Sequence, residues 1–386
     1  GAMGTGVFDI AVLAPQLSSS GNLSVGNYTL DIANVSVTSP NFSNTIVLQG
    51  TMEVLPKALT VGLVSSAEKV YDGNSNMLGL ALALNTPIVG DILSVSGNGA
   101  YASKDAGVGN YTVSGLVLDG TDAGNYFIQG GAAANITGTD GEITPRALTV
   151  TPDSNQSKVF GAADPVLTYN YTGSVSGEVP GFSGAMSRVA GEAQGTYEIT
   201  RGALALEDNG SFLKDNYTLD FTAGIDFTIG KKSVDETDLR VEAIADLVYN
   251  GQAQEPTPVV RDGGVTLTEG VDYTLSYSNN INAGKATITV MGMDNYSGTK
   301  QAFFNIVPKS LRVIPAADQQ KEYGESDPEL SYSFSGEITG ETPAFTSSLS
   351  RAPGENVGVY EITQGSLSLA DNGSFKASNY EIVMTT

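Results

Sequence analysis

Apolar and polar residues alternate with a period of two in segments spread along the whole chain. Such alternation is typical of half-buried β-strands. Glycine and β-branched residues interrupt every window that could form a helix of three turns, so we predict a mainly β fold with at most one short helix per domain. The clearest strand segments are GNYTLDIANV from Gly26, GNYTVSGLVL from Gly109, GTYEITRGAL from Gly195, GKATITVMGM from Gly284 and GVYEITQGSL from Gly358.

A second pattern is an asparagine followed at once by an aromatic residue. An aromatic residue that enters a strand directly after a turn asparagine predicts an anchor in the hydrophobic core. Two further stretches, Asp208-Asn209-Gly210 and Asp371-Asn372-Gly373, predict tight hairpin turns, because Asn and Gly tolerate positive φ. The asparagines of the pattern are Asn41, Asn125, Asn216, Asn295 and Asn379.

One long segment occurs twice without a gap. KVFGAADPVLTYNYTG from Lys158 aligns with KEYGESDPELSYSFSG from Lys321, an offset of 163 residues. The same offset aligns MSRVAGEAQGTYEIT from Met186 with LSRAPGENVGVYEIT from Leu349. One domain type is therefore used twice.

Shorter relatives of this segment, KVYDGNS from Lys69 and LVYNGQA from Leu247, stand at corresponding places. The Tyr71-Asp72 pair in the first of them has the look of a reactive site. Its recurrence as an aromatic residue beside turn-forming residues favours instead the end of a strand that runs into a tight turn. We therefore predict a structural role for Tyr71 and Asp72.

Strands meet at four short junctions that contain Pro or Gly followed by a basic residue. Pro fixes φ and removes a backbone donor, so it ends one strand before the next begins, and such short linkers prevent free swivelling. The junction residues Pro56, Pro145, Gly230 and Pro308 are 89, 85 and 78 residues apart, which predicts a tandem array of small β domains. The predicted segments are 1–56, which holds only the latter half of a repeat and opens with a tag-like scar at 1–4, then 57–145, 146–230, 231–308, and 309–386, which lacks its closing strand.

Charge and composition exclude several functions. The 42 acidic residues exceed the 19 basic ones and give a net charge of −23, which repels nucleic acid. Cysteine and histidine are absent, which removes thiol nucleophiles, Ser-His-Asp relays and the usual zinc and haem ligands. Because no apolar run of 18 residues exists, we predict no membrane insertion. We also predict no cofactor.

Carboxylates are the remaining candidates for catalysis or metal binding. Glu198, Glu361, Asp208 and Asp371 could form glycosidase pairs, but their recurrence at matched places favours solvated strand and turn positions. We therefore predict that the protein is not an enzyme and has no catalytic, cofactor or metal residues. Calcium stays open, because the loops 118–125 and 206–211 concentrate oxygen ligands, although they lack the EF-hand spacing and ordinary turns are favoured.

Carbohydrate binding is a further alternative. Flat aromatic platforms usually carry it, yet Trp is absent and most of the 17 tyrosines lie in segments that look buried. Tyr169, Tyr171, Tyr273 and Tyr277 alternate within strand-like sequence, and we expect some of them to be exposed.

Two sets of motifs resemble known families. KVYDGNS together with DAGNY resembles the YDG domain of bacterial adhesins, and KEYGESDPELSYSFSG with SRAPGENVGVYEIT and NYE resembles the MBG domain of the YGX type. The resemblance assigns 57–145 as YDG-like and both 146–230 and 309–386 as MBG-like. Residues 231–308 form a third β repeat domain, similar over Leu247 to Thr299 to modules of repetitive bacterial surface proteins. The implied fold is a small β domain of the β-grasp or sandwich kind.

Such domains occur in large secreted or surface-attached adhesins, including filamentous haemagglutinin-like proteins. The resemblance thus implies an extracellular or cell-surface location. It also implies a non-enzymatic stalk that projects a binding region and supports adhesion or biofilm formation. The alternative is that the repeats themselves bind host glycan, mucin or a matrix polysaccharide of the biofilm. Incomplete terminal repeats further predict edge-strand self-association, or low order, at the two ends.

Overall fold

The computed structural model describes residues 6–37 and 50–385. Regular structure in these residues consists of short β-strands and four 3₁₀ turns of three residues each. The prediction of a mainly β fold built from small sheets in tandem, with little helix, is confirmed. None of the described residues forms a helix that is long and apolar enough to cross a membrane.

The first segment is a three-stranded antiparallel sheet of order β1-β2-β3. Asn41 of the Asn-aromatic pattern and the tag-like residues 1–4 lie outside the described residues. The strands are β1 (Gly6–Val12), β2 (Gly26–Val37) and β3 (Gly50–Val54).

The second segment contains two sheets, of order β6-β4-β9 and β5-β10-β8-β7. Its 3₁₀ turns are Ala123–Asn125 and Gly131–Ala133. The strands are β4 (Lys57–Leu63), β5 (Glu68–Val70), β6 (Leu82–Asn85), β7 (Ser94–Tyr101), β8 (Gly107–Asp119), β9 (Tyr126–Ile128) and β10 (Ile136–Thr144).

The third segment contains sheets of order β13-β11-β18 and β12-β19-β16-β15, with a small pair β14-β17. A 3₁₀ turn, Lys214–Asn216, precedes β18. The strands are β11 (Arg146–Pro152), β12 (Ser157–Val159), β13 (Tyr169–Thr172), β14 (Gly181–Ser183), β15 (Ser187–Arg188), β16 (Gly195–Thr200), β17 (Ala205–Glu207), β18 (Tyr217–Phe221) and β19 (Asp226–Gly230).

The fourth segment contains the pair β20-β27 and sheets of order β21-β23-β24 and β22-β28-β26-β25. The strands are β20 (Lys232–Ser233), β21 (Leu239–Val241), β22 (Leu247–Val248), β23 (Val260–Asp262), β24 (Val265–Thr266), β25 (Tyr273–Ser278), β26 (Gly284–Gly292), β27 (Tyr296–Ser297) and β28 (Thr299–Val307).

The fifth segment repeats the third in part, with a sheet of order β30-β29-β35 and the pairs β31-β34 and β32-β33. A 3₁₀ turn, Ala377–Asn379, precedes its last strand. The strands are β29 (Lys309–Pro315), β30 (Tyr332–Ser335), β31 (Ala344–Thr346), β32 (Ser350–Arg351), β33 (Ile362–Thr363), β34 (Ser368–Ala370) and β35 (Tyr380–Met384).

Every segment after the first opens with a sheet built on the same parallel pair of strands, here called its leading sheet. The strand that follows the junction pairs in parallel with the strand that begins at the tyrosine of the Asn-Tyr pair. The junction Pro145 lies between β10 and β11, where its missing N–H ends one ladder and allows the next to start. The basic residue of each junction is in register with that tyrosine: Lys57 with Tyr126, Arg146 with Tyr217, Lys232 with Tyr296, and Lys309 with Tyr380.

The second, third and fourth segments also end with a common sheet, their trailing sheet. In it a closing strand lies parallel to the short strand of the Tyr-Asp-Gly or related motif and antiparallel to a strand that begins with Gly. An isoleucine is the centre of this arrangement each time. Ile143 pairs with Lys69 and Gly107, Ile229 with Lys158 and Gly195, and Ile306 with Leu247 and Gly284.

By compactness the chain divides into two units. The first comprises residues 1–153, 167–187 and 199–225, and the second comprises residues 154–166, 188–198 and 226–386. The division passes through the third segment, so its leading sheet belongs to the first unit, while β12 and β19 of its trailing sheet belong to the second. The four boundaries between the five predicted segments stay a prediction about where each repeat begins and ends.

Candidate functional site: the joints between segments

Two hydrophobic cores combine the trailing sheet of one segment with the leading sheet of the next. We call each place where the Asn-Tyr pair of one segment contacts the preceding segment a joint, and number the four joints along the chain; joints 1 and 2 lie in the first unit, and joints 3 and 4 in the second. The apolar core therefore lies across the predicted boundaries at Pro145 and Pro308. At joint 2 the core contains Tyr71, Tyr101, Tyr111, Val113, Ile143, Leu148, Phe212 and Tyr217, and at joint 4 it contains Tyr249, Ala286, Ile288, Phe304, Ile306, Leu311, Phe375 and Tyr380.

The asparagine of the Asn-Tyr pair makes the same hydrogen bond at all four joints. Its side-chain oxygen accepts the backbone N–H of the residue just before the glycine that starts the Gly strand of the preceding segment. At joints 2 and 4 the asparagine is fully buried, so this bond satisfies a backbone donor that water cannot reach. The bonds are Val25 to Asn125 (2.7 Å), Ala106 to Asn216 (2.7 Å), Gln194 to Asn295 (2.8 Å) and Ala283 to Asn379 (2.7 Å).

A pair of aromatic rings packs beside this asparagine at joints 2, 3 and 4. One ring is the aromatic residue of the Tyr-Asp-Gly or related motif, and the other is the tyrosine of the Asn-Tyr pair. In each case the rings meet edge to face, an arrangement that the ring quadrupoles favour. The pairs are Tyr71 with Tyr217 (5.5 Å between centroids, 75° between planes), Phe160 with Tyr296 (5.5 Å, 75°) and Tyr249 with Tyr380 (5.6 Å, 75°).

A glutamate joins the two tyrosines at joints 2 and 4. At joint 2 the hydroxyl of Tyr71 donates to one oxygen of Glu178 at 2.6 Å, and that of Tyr217 donates to the other at 2.7 Å. At joint 4 Glu341 accepts from Tyr249 at 2.5 Å and from Tyr380 at 2.8 Å. The carboxylate thus bridges a residue of one segment to a residue of the next.

Burial is the main cause that raises the pKa of these phenols above its ordinary value, and the hydrogen-bonded glutamate raises it further. Together they raise the pKa of Tyr217, Tyr249 and Tyr380 to about 12. Burial and Glu178 raise the pKa of Tyr71 still further above its ordinary value. The neutral phenols are therefore the form that the folded joints require.

Joints 1 and 3 use an aspartate in place of the glutamate. Tyr126 donates to Asp91 at 2.5 Å, and the other oxygen of Asp91 accepts the backbone N–H of Ser20 from the first segment at 3.1 Å. At joint 3 Tyr296 donates to Asp262 at 3.0 Å. The motif residue that packs against Tyr296 is Phe160, which has no hydroxyl group. Asp262 instead forms an ion pair with Lys232 at 2.6 Å.

Tyr71 and Asp72, the pair singled out in the sequence, both have structural partners. Tyr71 is fully buried in joint 2. Asp72 forms an ion pair with Lys69 at 2.6 Å and accepts the backbone N–H of Asn74 at 3.1 Å, which is the geometry of a turn. The positions agree with the expected strand end and tight turn.

Of the four carboxylates considered for hydrolysis, Asp208 and Asp371 lie in turns, Glu198 lies in β16 and Glu361 directly precedes β33. Asp208 accepts the backbone N–H of Lys214 and Asp371 that of Ala377, both at 2.8 Å. The adjacent predicted hairpin turn is a tight turn in which Asn209 and Phe212 exchange two backbone hydrogen bonds, and Asn372 and Phe375 do the same. Glu198 and Glu361 are exposed.

The loop 118–125, a candidate for calcium, is occupied by protein contacts. Asp122 accepts backbone N–H groups from Ser19 at 3.0 Å and from Ile92 at 2.7 Å, so it also belongs to joint 1. Within 6–37 and 50–385, no group of three or more His, Cys, Asp or Glu side chains could hold a metal ion.

The four tyrosines considered for carbohydrate binding differ in exposure. Tyr273 is buried, and Tyr277 is half-buried and donates to the carbonyl of Pro256 at 2.9 Å. Tyr169 is half-buried, whereas Tyr171 is 40% exposed. Both of these rings contact Phe182, with centroid distances of 5.3 and 5.6 Å, and the twin segment repeats this triplet as Tyr332, Phe334 and Phe345.

Sequence reasoning missed a cluster of four charged residues that the structure brings together in both twin segments. Asp164 contacts Lys158 at 2.6 Å and Arg188 at 2.8 Å, and Glu192 contacts the same two cations. The Arg188 guanidinium is the main cause that holds the pKa of Asp164 below its usual range. The sequence does contain a signal for this cluster. The same four residue types recur at the offset of 163 and form the same contacts, as Lys321, Asp327, Arg351 and Glu355.

Comparison with protein families locates three domains. Residues 55–135 match the family model of the YDG domain, and residues 148–228 and 312–386 match that of the MBG domain (YGX type). The resemblance drawn from KVYDGNS and from the twin segments is confirmed. No curated protein sequence matches the chain significantly.

Proposed function

We propose that this chain, which carries one YDG domain and two MBG domains of the YGX type, is a non-enzymatic stalk region of a large bacterial surface adhesin. Its place is outside the cell or on the cell surface. Its task is to hold a distal binding region away from the cell and so to support adhesion or biofilm formation. Nucleic acid is not a partner of a chain with a net charge of −23.

The observation that carries the proposal is the joint itself, repeated at four successive junctions. Linked domains move relative to one another by default unless their interface is large and apolar. Here a hydrophobic core crosses the junctions at Pro145 and Pro308, and a buried asparagine closes each of these two joints. Turning one segment against the next would expose that core and leave a buried N–H without a partner. Stiff coupling of neighbours is what a spacer needs.

Small-angle X-ray scattering of the chain tests the proposal. A stalk is expected to have a radius of gyration clearly above about 21 Å, the value for a single globule of this length. The variant Asn216→Ala is expected to broaden the distribution of interatomic distances by loosening joint 2. Asn110→Ala is the matched control, because exposed Asn110 precedes Tyr111 as Asn216 precedes Tyr217. A radius of gyration near the globular value would refute the stalk.

A second candidate function is binding by the repeats themselves, and the aromatic triplets favour it. Tyr171 and its counterpart Phe334 are both partly exposed beside a second aromatic ring, which is the kind of surface that stacks on a sugar. Host glycan, mucin or a matrix polysaccharide are the ligand classes to test. Binding to glycan arrays or mucin-coated plates that is lost in Tyr171→Ala/Phe334→Ala would establish this function. Absence of binding in both assays would exclude it.

A further inference from the structure

The sequence contains two Asp-Pro pairs, and both lie at the same place in the twin MBG domains. They are Asp164-Pro165 and Asp327-Pro328, which are 163 residues apart. Each pair lies in a stretch without regular structure, residues 163–168 in the first domain and residues 326–331 in the second. Both prolines are exposed, so these stretches are open to water.

An Asp-Pro bond is weaker in acid than an ordinary peptide bond. One carboxyl oxygen of the aspartic acid attacks the carbonyl carbon of the same residue and forms a five-membered cyclic anhydride. The C–N bond to proline breaks, and the proline nitrogen takes the proton of the carboxyl group, which a tertiary amide accepts more readily than an ordinary peptide nitrogen. One water molecule then opens the anhydride, so the net reaction is hydrolysis of one peptide bond.

The charge cluster of the first MBG domain opposes this reaction at Asp164. Arg188 contacts both carboxylate oxygens, with Nε at 2.8 Å from Oδ2 and Nη2 at 3.0 Å from Oδ1, and Lys158 Nζ lies 2.6 Å from Oδ1. Arg188 is itself fixed, because Nη1 donates to the carbonyl of Gly191 at 2.5 Å and Nη2 donates to Glu192 at 2.7 Å. Moving a carboxyl oxygen onto the carbonyl carbon of Asp164 means giving up these contacts.

The same contacts keep the proton off the carboxylate. Arg188, and after it Lys158, hold the pKa of Asp164 below its ordinary value of 3.8. They also lower the pKa of Glu192, the second acidic residue of the cluster. At a pH where a free aspartic acid is half protonated, Asp164 therefore stays ionised to a greater extent, and the proton that the leaving nitrogen needs is missing.

We propose that the two Asp-Pro bonds are acid-sensitive self-cleavage sites of the chain and that the charge cluster beside each bond protects it. Loss of this protection would cut the chain within an MBG domain, whether or not the chain serves as a stalk. The twin domain repeats the arrangement, with the two cations 2.7 and 3.0 Å from Oδ1 of the aspartate, and its residues are Asp327, Lys321, Arg351 and Glu355.

Intact-mass spectrometry of the full chain at about pH 4, near the ordinary pKa of aspartic acid, tests the proposal. Cleavage of the first bond yields residues 1–164 and 165–386, and cleavage of the second yields residues 1–327 and 328–386. Both bonds are expected to be cut at least about 10-fold faster in urea, where the clusters are dispersed, than in the folded chain. Asp164→Glu is expected to abolish cleavage of the first bond only, because glutamate would have to form a six-membered ring.

Variants of the two arginines test each cluster in the folded chain. Arg188→Met is expected to speed cleavage of the first bond about 10-fold and to leave the second unchanged, and Arg351→Met is expected to do the reverse. Each variant thus carries its matched control in the twin domain. Hydrogen exchange at residues 157–159 and 350–351, measured in the same buffer, reports whether the domain itself opens.

Three results would overturn the proposal. Absence of cleavage in urea would show that the bonds are not sites, and equal rates in urea and in the folded chain would show that they are not protected. Acceleration of both bonds by one variant, or an acceleration no larger than that of hydrogen exchange in the same domain, would assign the effect to unfolding. Selective acceleration beyond the change in exchange would establish the role of the cluster.

Discussion

The hydroxyl of Tyr71 donates a 2.6 Å hydrogen bond to Glu178, a residue 107 positions later in the chain. The other oxygen of this carboxylate accepts from Tyr217, and the two phenol rings pack edge to face. One carboxylate therefore holds the YDG domain and the first MBG domain together. The same arrangement returns at joint 4, so its energetics can be measured twice in one molecule.

Replacing the buried asparagine of a joint should loosen that joint. Asn216→Ala leaves the backbone N–H of Ala106 without its acceptor, which is expected to cost about 1–3 kcal/mol. Native-state hydrogen exchange should show the loss as faster exchange of Ala106 and of the strand that follows it. Asn110→Ala is expected to leave these rates unchanged, and equal acceleration in both variants would contradict a specific role of Asn216.

The hydroxyl of Tyr71 is expected to matter less than its ring. Joint 3 keeps the same ring geometry with Phe160, which shows that the packing does not depend on a hydroxyl. Tyr71→Phe should therefore cost about 1 kcal/mol for the lost hydrogen bond, whereas Tyr71→Ala should cost about 3–5 kcal/mol through the cavity it leaves. Urea unfolding followed by circular dichroism measures both values. A Phe variant as unstable as the Ala variant would assign the main role to the bond with Glu178.

Alkaline pH should destabilise the joints. The pKa of Tyr217 is about 12 in the folded chain against an ordinary value of 10.0. Between these values the unfolded chain loses its proton first, so the stability present below pH 10 falls as the pH rises towards 12. Urea titrations at successive pH values should show this decline, and it should be smaller in Tyr217→Phe. Parallel declines in the two proteins would show that Tyr217 does not contribute.

The strands and their anchors could be predicted from the sequence, but their partners could not. Period-two alternation and the Asn-Tyr pairs identified β8, β16, β18 and β35, because local pattern alone sets which residues face inward. Glu178 and Glu341 also occupy one repeat position, yet only the folded chain brings them to tyrosines from two domains. Burial of the motif tyrosine differs between repeats, since Tyr323 is 76% exposed whereas Tyr71 and Tyr249 are buried.

The twin charge clusters should differ in their contribution to stability because the arginine side chain is 6% exposed in the first and 15% exposed in the second. The guanidinium of Arg188 lies over the rings of Tyr197 and Phe227, at 5.1 and 5.4 Å, whereas that of Arg351 lies over the ring of Tyr360 alone among the described residues, at 4.9 Å. Solvent and salt screen the Coulombic attraction between exposed charged groups more strongly than the attraction between buried ones.

We therefore expect Arg188→Met to destabilise its domain more than Arg351→Met destabilises the twin domain. Hydrogen exchange measures each domain separately, at residues 157–159 and at residues 350–351. Because the pKa of Asp164 is lowered in the folded chain, the stabilisation by Arg188 is present at neutral pH and is lost as the pH falls through that pKa. The difference between the variants should shrink on acidification. Equal costs at neutral pH would show that the additional contact of the Arg188 guanidinium with the ring of Phe227 does not strengthen the cluster.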